Sequence, residues 1–229
     1  MPTRTVIPPA IARIAPDGRL SARQRRHFML QQLLRRHSTG TGSAASFLRR
    51  RTAMHPWPDL RAILDGFPWA IVGGVATRAY MAERMTKHLD IRVRRADSID
   101  VIQRFVAAGF SVVSDLALPG KHLQAPDGAE VDVLWGDQPW LDAALAEPER
   151  DAAGYPVIGL LYLVLLKLQA ARTQDWADVS RMLGQVDPGQ LDAVRALVSQ
   201  LDPEDSEDLE ALIYLGQQEM LLPPGDSQG

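Results

Sequence analysis

The chain contains no cysteine. That excludes disulfide staples, thiolate metal sites and cysteine nucleophiles outright, and it fits a reducing, cytoplasmic setting. Long apolar runs are missing as well: the longest, Val157 to Leu166, is broken by Lys167 and reaches roughly half the 20 residues that a membrane-spanning helix requires. It reads as a buried helix. Prolines and arginines interrupt the N-terminal MPTRTVIPPAIARIAPDGR where a signal peptide needs a continuous apolar segment, so no export is expected. No G-x-S-x-G and no G-x-G-x-x-G after a strand is present, which leaves hydrolase and dinucleotide-binding readings without support. Five histidines without close ligand spacing argue against zinc.

What is there is the composition of a soluble globular protein. The 229 residues are 46% hydrophobic and 23% charged, enough for one substantial core with a smaller appended part. The net charge of −3 conceals a strong asymmetry. Residues 1 to 52 hold eleven arginines and one acid, Asp17, giving +10, while the remaining 14 basic and 27 acidic residues give −13. A basic arm on an acidic body can steer a polyanion such as RNA, because the planar guanidinium fork suits phosphate. The alternative is a solvated arm, or one that packs on the acidic body.

Three regions follow from this. Residues 1–52 form the basic arm, with an N-cap candidate at Ser21, a short helix to Arg36 and the linker Ser38 to Ser46. Residues 53–150 carry the strand signals. A short helix is expected from Leu60 to Leu64, a buried strand from Trp69 to Val72 and a helix from Val75 to Arg84. His88 to Val93 alternates, with Leu89, Ile91 and Val93 on one side and His88, Asp90 and Arg92 on the other. A helix from Asp97 to Gly109, a strand from Phe110 to Val113, and a hairpin of His122–Ala125 and Glu130–Leu134 around Pro126-Asp127-Gly128 come next. Residues 151–229 read as helices at Val157–Ala171, Asp175–Leu183, Gln190–Gln200 and Glu204–Met220. Strands first and helices later predict an α+β fold, a mixed sheet with flanking helices followed by a helical C-terminal half.

The chemistry concentrates at a few positions. Gly73-Gly74 at a strand-to-helix turn allows close backbone approach, for a phosphate or simply for tight packing. Asp90 and Asp132 are carboxylates set among valine, leucine and isoleucine on strands, where an unpaired charge is costly to desolvate. A magnesium ion held by both explains them; so do solvent-facing positions, or pairing with Arg84 or Arg92. Lys167 interrupts an apolar helix and needs a partner if buried, either Asp175 or Asp178, at offsets of eight and eleven, or a nucleotide phosphate.

Taken in order, Gly73-Gly74-Val75-Ala76, Arg84-Met85-Thr86-Lys87-His88-Leu89-Asp90, Val131-Asp132-Val133, and Lys167-Leu168-Gln169-Ala170 with Arg172, Asp175 and Asp178 form a pattern. It resembles the polymerase-beta-like nucleotidyltransferase superfamily, in particular the branch of abortive-infection and type IV toxin nucleotidyltransferases. The resemblance covers about residues 60 to 185. It implies a nucleotidyltransferase-like core in which Gly73 and Gly74 sit near an NTP triphosphate together with Arg84, Thr86, Arg172, Asp175 and Asp178. It further implies that Asp90 and Asp132 bind Mg²⁺ or Mn²⁺ and that Lys167 reaches the nucleotide phosphates.

The chain departs from that pattern at His88, which stands where the first carboxylate of a D-x-D is expected. Imidazole suits Mn²⁺ or Zn²⁺ better than the hard, oxygen-seeking Mg²⁺, and its near-neutral pKa also fits a general base. Two functional expectations result. One is transfer of a nucleoside monophosphate from an NTP to a hydroxyl acceptor, RNA included, with activity reduced or altered by His88. The other is a catalytically degenerate nucleotide- or RNA-binding protein, such as one member of a toxin–antitoxin pair with a protein partner. A structural α+β domain whose motif residues merely pack is the third alternative.

Overall fold

The computed structural model describes residues 9–21, 24, 27–28, 31, 58–81, 86, 88–151 and 153–221. Arg84, the linker at 38–46 and most of the arginine-rich arm lie outside them. The N-cap predicted at Ser21 is present as a reciprocal capping box: Gln24 N–H donates to Ser21 Oγ at 3.2 Å, and Ser21 N–H to Gln24 Oε1 at 2.9 Å. A four-residue helical turn, α1 (Pro9–Ala12), precedes it.

Seven strands form one mixed sheet in the order β3-β4-β5-β2-β1-β7-β6. They are β1 (Trp69–Ile71), β2 (Leu89–Arg94), β3 (Ser111–Asp115), β4 (Gly120–Gln124), β5 (Glu130–Gly136), β6 (Glu149–Arg150) and β7 (Pro156–Val157). Central β2 runs antiparallel to β1 and parallel to β5, and β4 runs antiparallel to β5. Its alternation is the one expected from the sequence. Leu89, Ile91 and Val93 are 2% exposed or less and join Val131 and Val133 of β5 and Leu123 of β4 in a buried cluster. Each such side chain contributes roughly 1.5–3 kcal/mol. That is enough for the same strands to carry polar residues on the opposite face.

The interstrand helices are α2 (Gly73–Ala76), α3 (Ser98–Ala107) and α4 (Leu141–Ala146). Beyond β7 the chain is helical: α5 (Leu160–Ala170), α6 (Thr173–Leu183), α7 (Pro188–Leu201) and α8 (Ser206–Leu221). The fold is therefore α+β with flanking helices and a helical C-terminal half, and one contiguous core extends from Leu60 to Ile213. No helix among the described residues is long and apolar enough to cross a membrane.

Several local expectations need correction. Leu60–Leu64 is a single turn closed by Leu64 N–H to Leu60 O at 2.9 Å, since so few residues cannot offset helix nucleation. The helix expected at Val75–Arg84 begins at Gly73, tightens to a 3₁₀ turn at Thr77–Ala79 and gives way at Tyr80, whose hydroxyl donates to Ile158 O at 2.7 Å. Val157 is not helical. It pairs in parallel with Ile71, so sheet pairing overrides the helical reading of the apolar run, and the helix starts only at Leu160. The separation expected between the helix carrying Lys167 and the one carrying the acids is present, and it falls at Ala171, which takes the left-handed conformation at φ 51°.

Candidate active site

Pairing register builds the centre of the site. Asp90 and Asp132 are direct partners across the parallel β2–β5 pair, and His122 is the partner of Asp132 across β4–β5. Residues directly opposite one another share a face, so three polar side chains stand in a row on the face away from the core. His88 and Arg92, two residues either side of Asp90, extend the same face along β2. His88, Asp90, Arg92 and Asp132 form part of the wall of a cleft of about 560 Å³, which Gly73, Gly74, Thr86, Lys167 and Arg172 also line.

Glycine is required at position 73. The residue sits at φ +64°, and a Cβ there would lie 2.0 Å from Asp90 Oδ2. Only a bare backbone can come this close to the carboxylate. Gly74 N–H donates a hydrogen bond to Asp90, so the pair of glycines positions the carboxylate directly.

Among the described residues Asp90 lacks a full counter-charge. Burial, followed by the negative charge of Asp132, pushes its pKa up to about 6, against the opposing pull of His88, the Gly74 N–H and Lys167. Asp132, 8% exposed, accepts a 2.6 Å hydrogen bond from His122 Nδ1. His88 stands more open, with Nδ1 3.7 Å from Glu130 Oε2 and Nε2 4.0 Å from Asp132 Oδ2. Its ring meets that of His122 edge-on at 6.3 Å. One ligand atom each from His88, Asp90 and Asp132 lies within 4.8 Å of the others, a separation that a single divalent cation can bridge.

Lys167 presents the opposite situation. Its ammonium is 3% exposed and lies 2.7 Å from Asp178 Oδ2 and 3.0 Å from Asp175 Oδ1. The break at Ala171 turns α6 back so that these acids meet a lysine of α5. Asp178, with no exposed surface, holds Lys167 and receives Gln174 Nε2 at 2.9 Å; Asp175 lies on the cleft wall. Arg172 is exposed at the cleft, 4.0 Å from Asp175 Oδ2.

Three residues of this region escaped the sequence reading: His122, Glu130 and Arg92. The first two were within reach of it. With the turn at Pro126-Asp127-Gly128 recognised, counting outward along the hairpin sets His122 opposite Asp132 and Gln124 opposite Glu130. Arg92 was placed on the correct face, but nothing in the sequence announced that it is buried.

No protein-family model and no curated protein sequence matches the chain. Among solved structures, the chain is similar to the crystal structure of ANT(2″)-Ia in complex with adenylyl-2″-tobramycin, at 18% identity and a TM-score of 0.40, covering 68% of this chain and 92% of that one. It is also similar to the solution structure of the antibiotic-resistance factor ANT(2″)-Ia, at 18% identity and a TM-score of 0.39, covering 68% of this chain and 87% of that one.

Proposed function

We propose that the chain is a metal-dependent nucleotidyltransferase that moves a nucleoside monophosphate from an NTP to a hydroxyl acceptor. The observation that carries this reading is the convergence of His88, Asp90 and Asp132 within 4.8 Å, in a cleft that also holds Lys167. The donor set fits a divalent cation: two carboxylates, one of them raised in pKa by burial and by its neighbour, lack among the described residues the positive charge that would balance them. With an imidazole as third donor the site favours Mn²⁺ over Mg²⁺. When bound, the ion neutralises charge on the leaving pyrophosphate and acidifies the attacking hydroxyl.

The chain's own residues orient and exclude. Gly73 and Gly74 fix Asp90 and keep the space beside it clear of side chains. His122 fixes the rotamer of Asp132. Lys167, locked by Asp175 and Asp178, supplies a stationary positive charge at the cleft wall, and Thr86 and Arg172 line the same space. In the reaction the bond from the α-phosphorus to the bridging oxygen breaks and a bond to the acceptor oxygen forms. The acceptor's proton leaves to the carboxylate–imidazole row. RNA is the acceptor suggested by the arginine-rich first 52 residues.

A second reading, a catalytically degenerate binding protein, draws on His88 and on the His122 hydrogen bond that already occupies one oxygen of Asp132. One experiment separates the two. The purified protein is incubated with each α-labelled NTP, bulk RNA and either Mg²⁺ or Mn²⁺, with Asp90→Ala as control. Label transfer that the control lacks supports the transferase; no transfer from wild type but gain in His88→Asp supports the degenerate site.

A further inference from the structure

Arg92 is 8% exposed, yet no carboxylate among the described residues forms an ion pair with it. Its Nη2 donates to the neutral Oε1 of Gln138 at 2.8 Å, and its Nε is buried without a partner. The charges that act on it most are Asp137 and Arg95, which oppose each other, and Asp137 is already bound to Arg95 Nε at 2.9 Å. A buried cation with this little compensation is costly, and the surroundings nonetheless make room for it. Gly136, across the strand pair, would place a Cβ 2.3 Å from Nη2 if it were any other residue. Arg92 lines the same cleft as Asp90 and Asp132, whose wall also includes the apolar Leu116 and Leu134. Same-face spacing along β2 sets its Cα roughly 6–7 Å from that of Asp90.

We propose that Arg92 is an anion-binding subsite for the acceptor: it takes an oxyanion, phosphate or carboxylate, carried about two strand residues away from the hydroxyl that reacts. This rests on the transferase reading for the word acceptor, but the anion subsite itself does not. Arg92 offers a planar fork that matches an oxyanion in bidentate fashion, and an incoming anion supplies the charge that the protein withholds. The acceptors selected are acids, such as phosphorylated or carboxylated hydroxy compounds, and their neutral counterparts are discriminated against because they would leave the buried cation unpaired.

Calorimetric titration of the full chain with inorganic phosphate and with acetate tests this, with and without a saturating non-hydrolysable α,β-methylene NTP and Mn²⁺. Phosphate or acetate should bind, bind roughly tenfold or more weakly in Arg92→Gln, and still bind when the NTP analogue is present. The tighter of the two identifies the acid group. Undiminished binding in Arg92→Gln overturns the subsite, as does absence of binding by either anion. Displacement of the anion by the analogue assigns Arg92 to the nucleotide's own phosphates and overturns the acceptor role. If Arg92→Gln does not fold, Arg92→Lys, which keeps the charge but loses the fork, should weaken binding several-fold, and equal affinity counts against the proposal. Binding of the NTP analogue to wild type is read separately, so loss of the transferase reading is not confused with loss of the subsite.

Discussion

Two pairs of acids lie in the same cleft region and are treated in opposite ways. Asp175 and Asp178 share Lys167, which meets both at hydrogen-bond distance and is itself buried. Among the described residues Asp90 and Asp132 meet no lysine or arginine at ion-pair distance, and burial followed by the charge of Asp132 pushes Asp90 toward protonation. The first pair is built around an internal cation, Lys167, that both acids hold in place. The second has no such cation at ion-pair distance among the described residues and is stable only at a cost, and such imbalance is characteristic of places where an external charge is meant to arrive.

The comparison is most directly broken by removing the second pair. Asp90→Ala should lower label transfer by about 10³-fold while leaving near-UV circular dichroism unchanged, the scale of losing a principal electrostatic stabiliser. Removing the cation of the first pair should act on the fold instead. Lys167→Met leaves Asp178 buried beside Asp175 without the ammonium, and urea denaturation should show a loss of about 3–5 kcal/mol.

Sharpening the comparison needs pH. The folded pKa of Asp90, about 6, lies above its ordinary value of 3.8, so its contribution to stability is fully present below pH 3.8 and lost as pH rises through 6. Without metal, Asp90→Asn should therefore be more stable than wild type by about 1–2 kcal/mol at pH 7.5, allowing for partial solvent access, with the gap closing toward pH 4. Thermal melts across that range check it. Wild type losing stability more steeply than Asp90→Asn on acidification would contradict it. The smallest effect concerns metal choice: His88→Asp should shift the ratio of Mg²⁺- to Mn²⁺-supported transfer roughly tenfold toward Mg²⁺, measured as initial rates at saturating metal.

Much of the architecture was legible in the residues, for identifiable reasons. The alternation of His88 to Val93 is a period-two signal that burial of Leu89, Ile91 and Val93 enforces, and the turn at Pro126-Asp127-Gly128 leaves little freedom in the hairpin. Lys167 could be flagged because a cation inside an apolar run must find acids. Less legible were features set by contacts between distant segments. Val157 pairs with Ile71, eighty-odd positions earlier, and no local propensity encodes that. Gly73 reads as an ordinary turn glycine until the Asp90 carboxylate is seen against its α-carbon. Arg92 required knowledge of Gly136 and Gln138, which only the folded sheet brings together.

The register of the sheet has one more consequence. His88, Asp90, Arg92, His122, Glu130 and Asp132 all bear even numbers, because β2 and β5 are offset by forty-two and each β4–β5 partnership sums to an even total. The site thus has a parity. Lengthening or shortening the connectors between strands alters the count but leaves each strand's own side chains facing as before. A single insertion within β2 exchanges odd for even beyond that point, sending core residues to the cleft and cleft residues to the core. Two inserted residues restore the facing but move the carboxylates out of line. Variation in this chain should accordingly be tolerated by segment rather than by distance from the cleft: free in loops, forbidden in ones within strands, and damaging to chemistry before fold in twos.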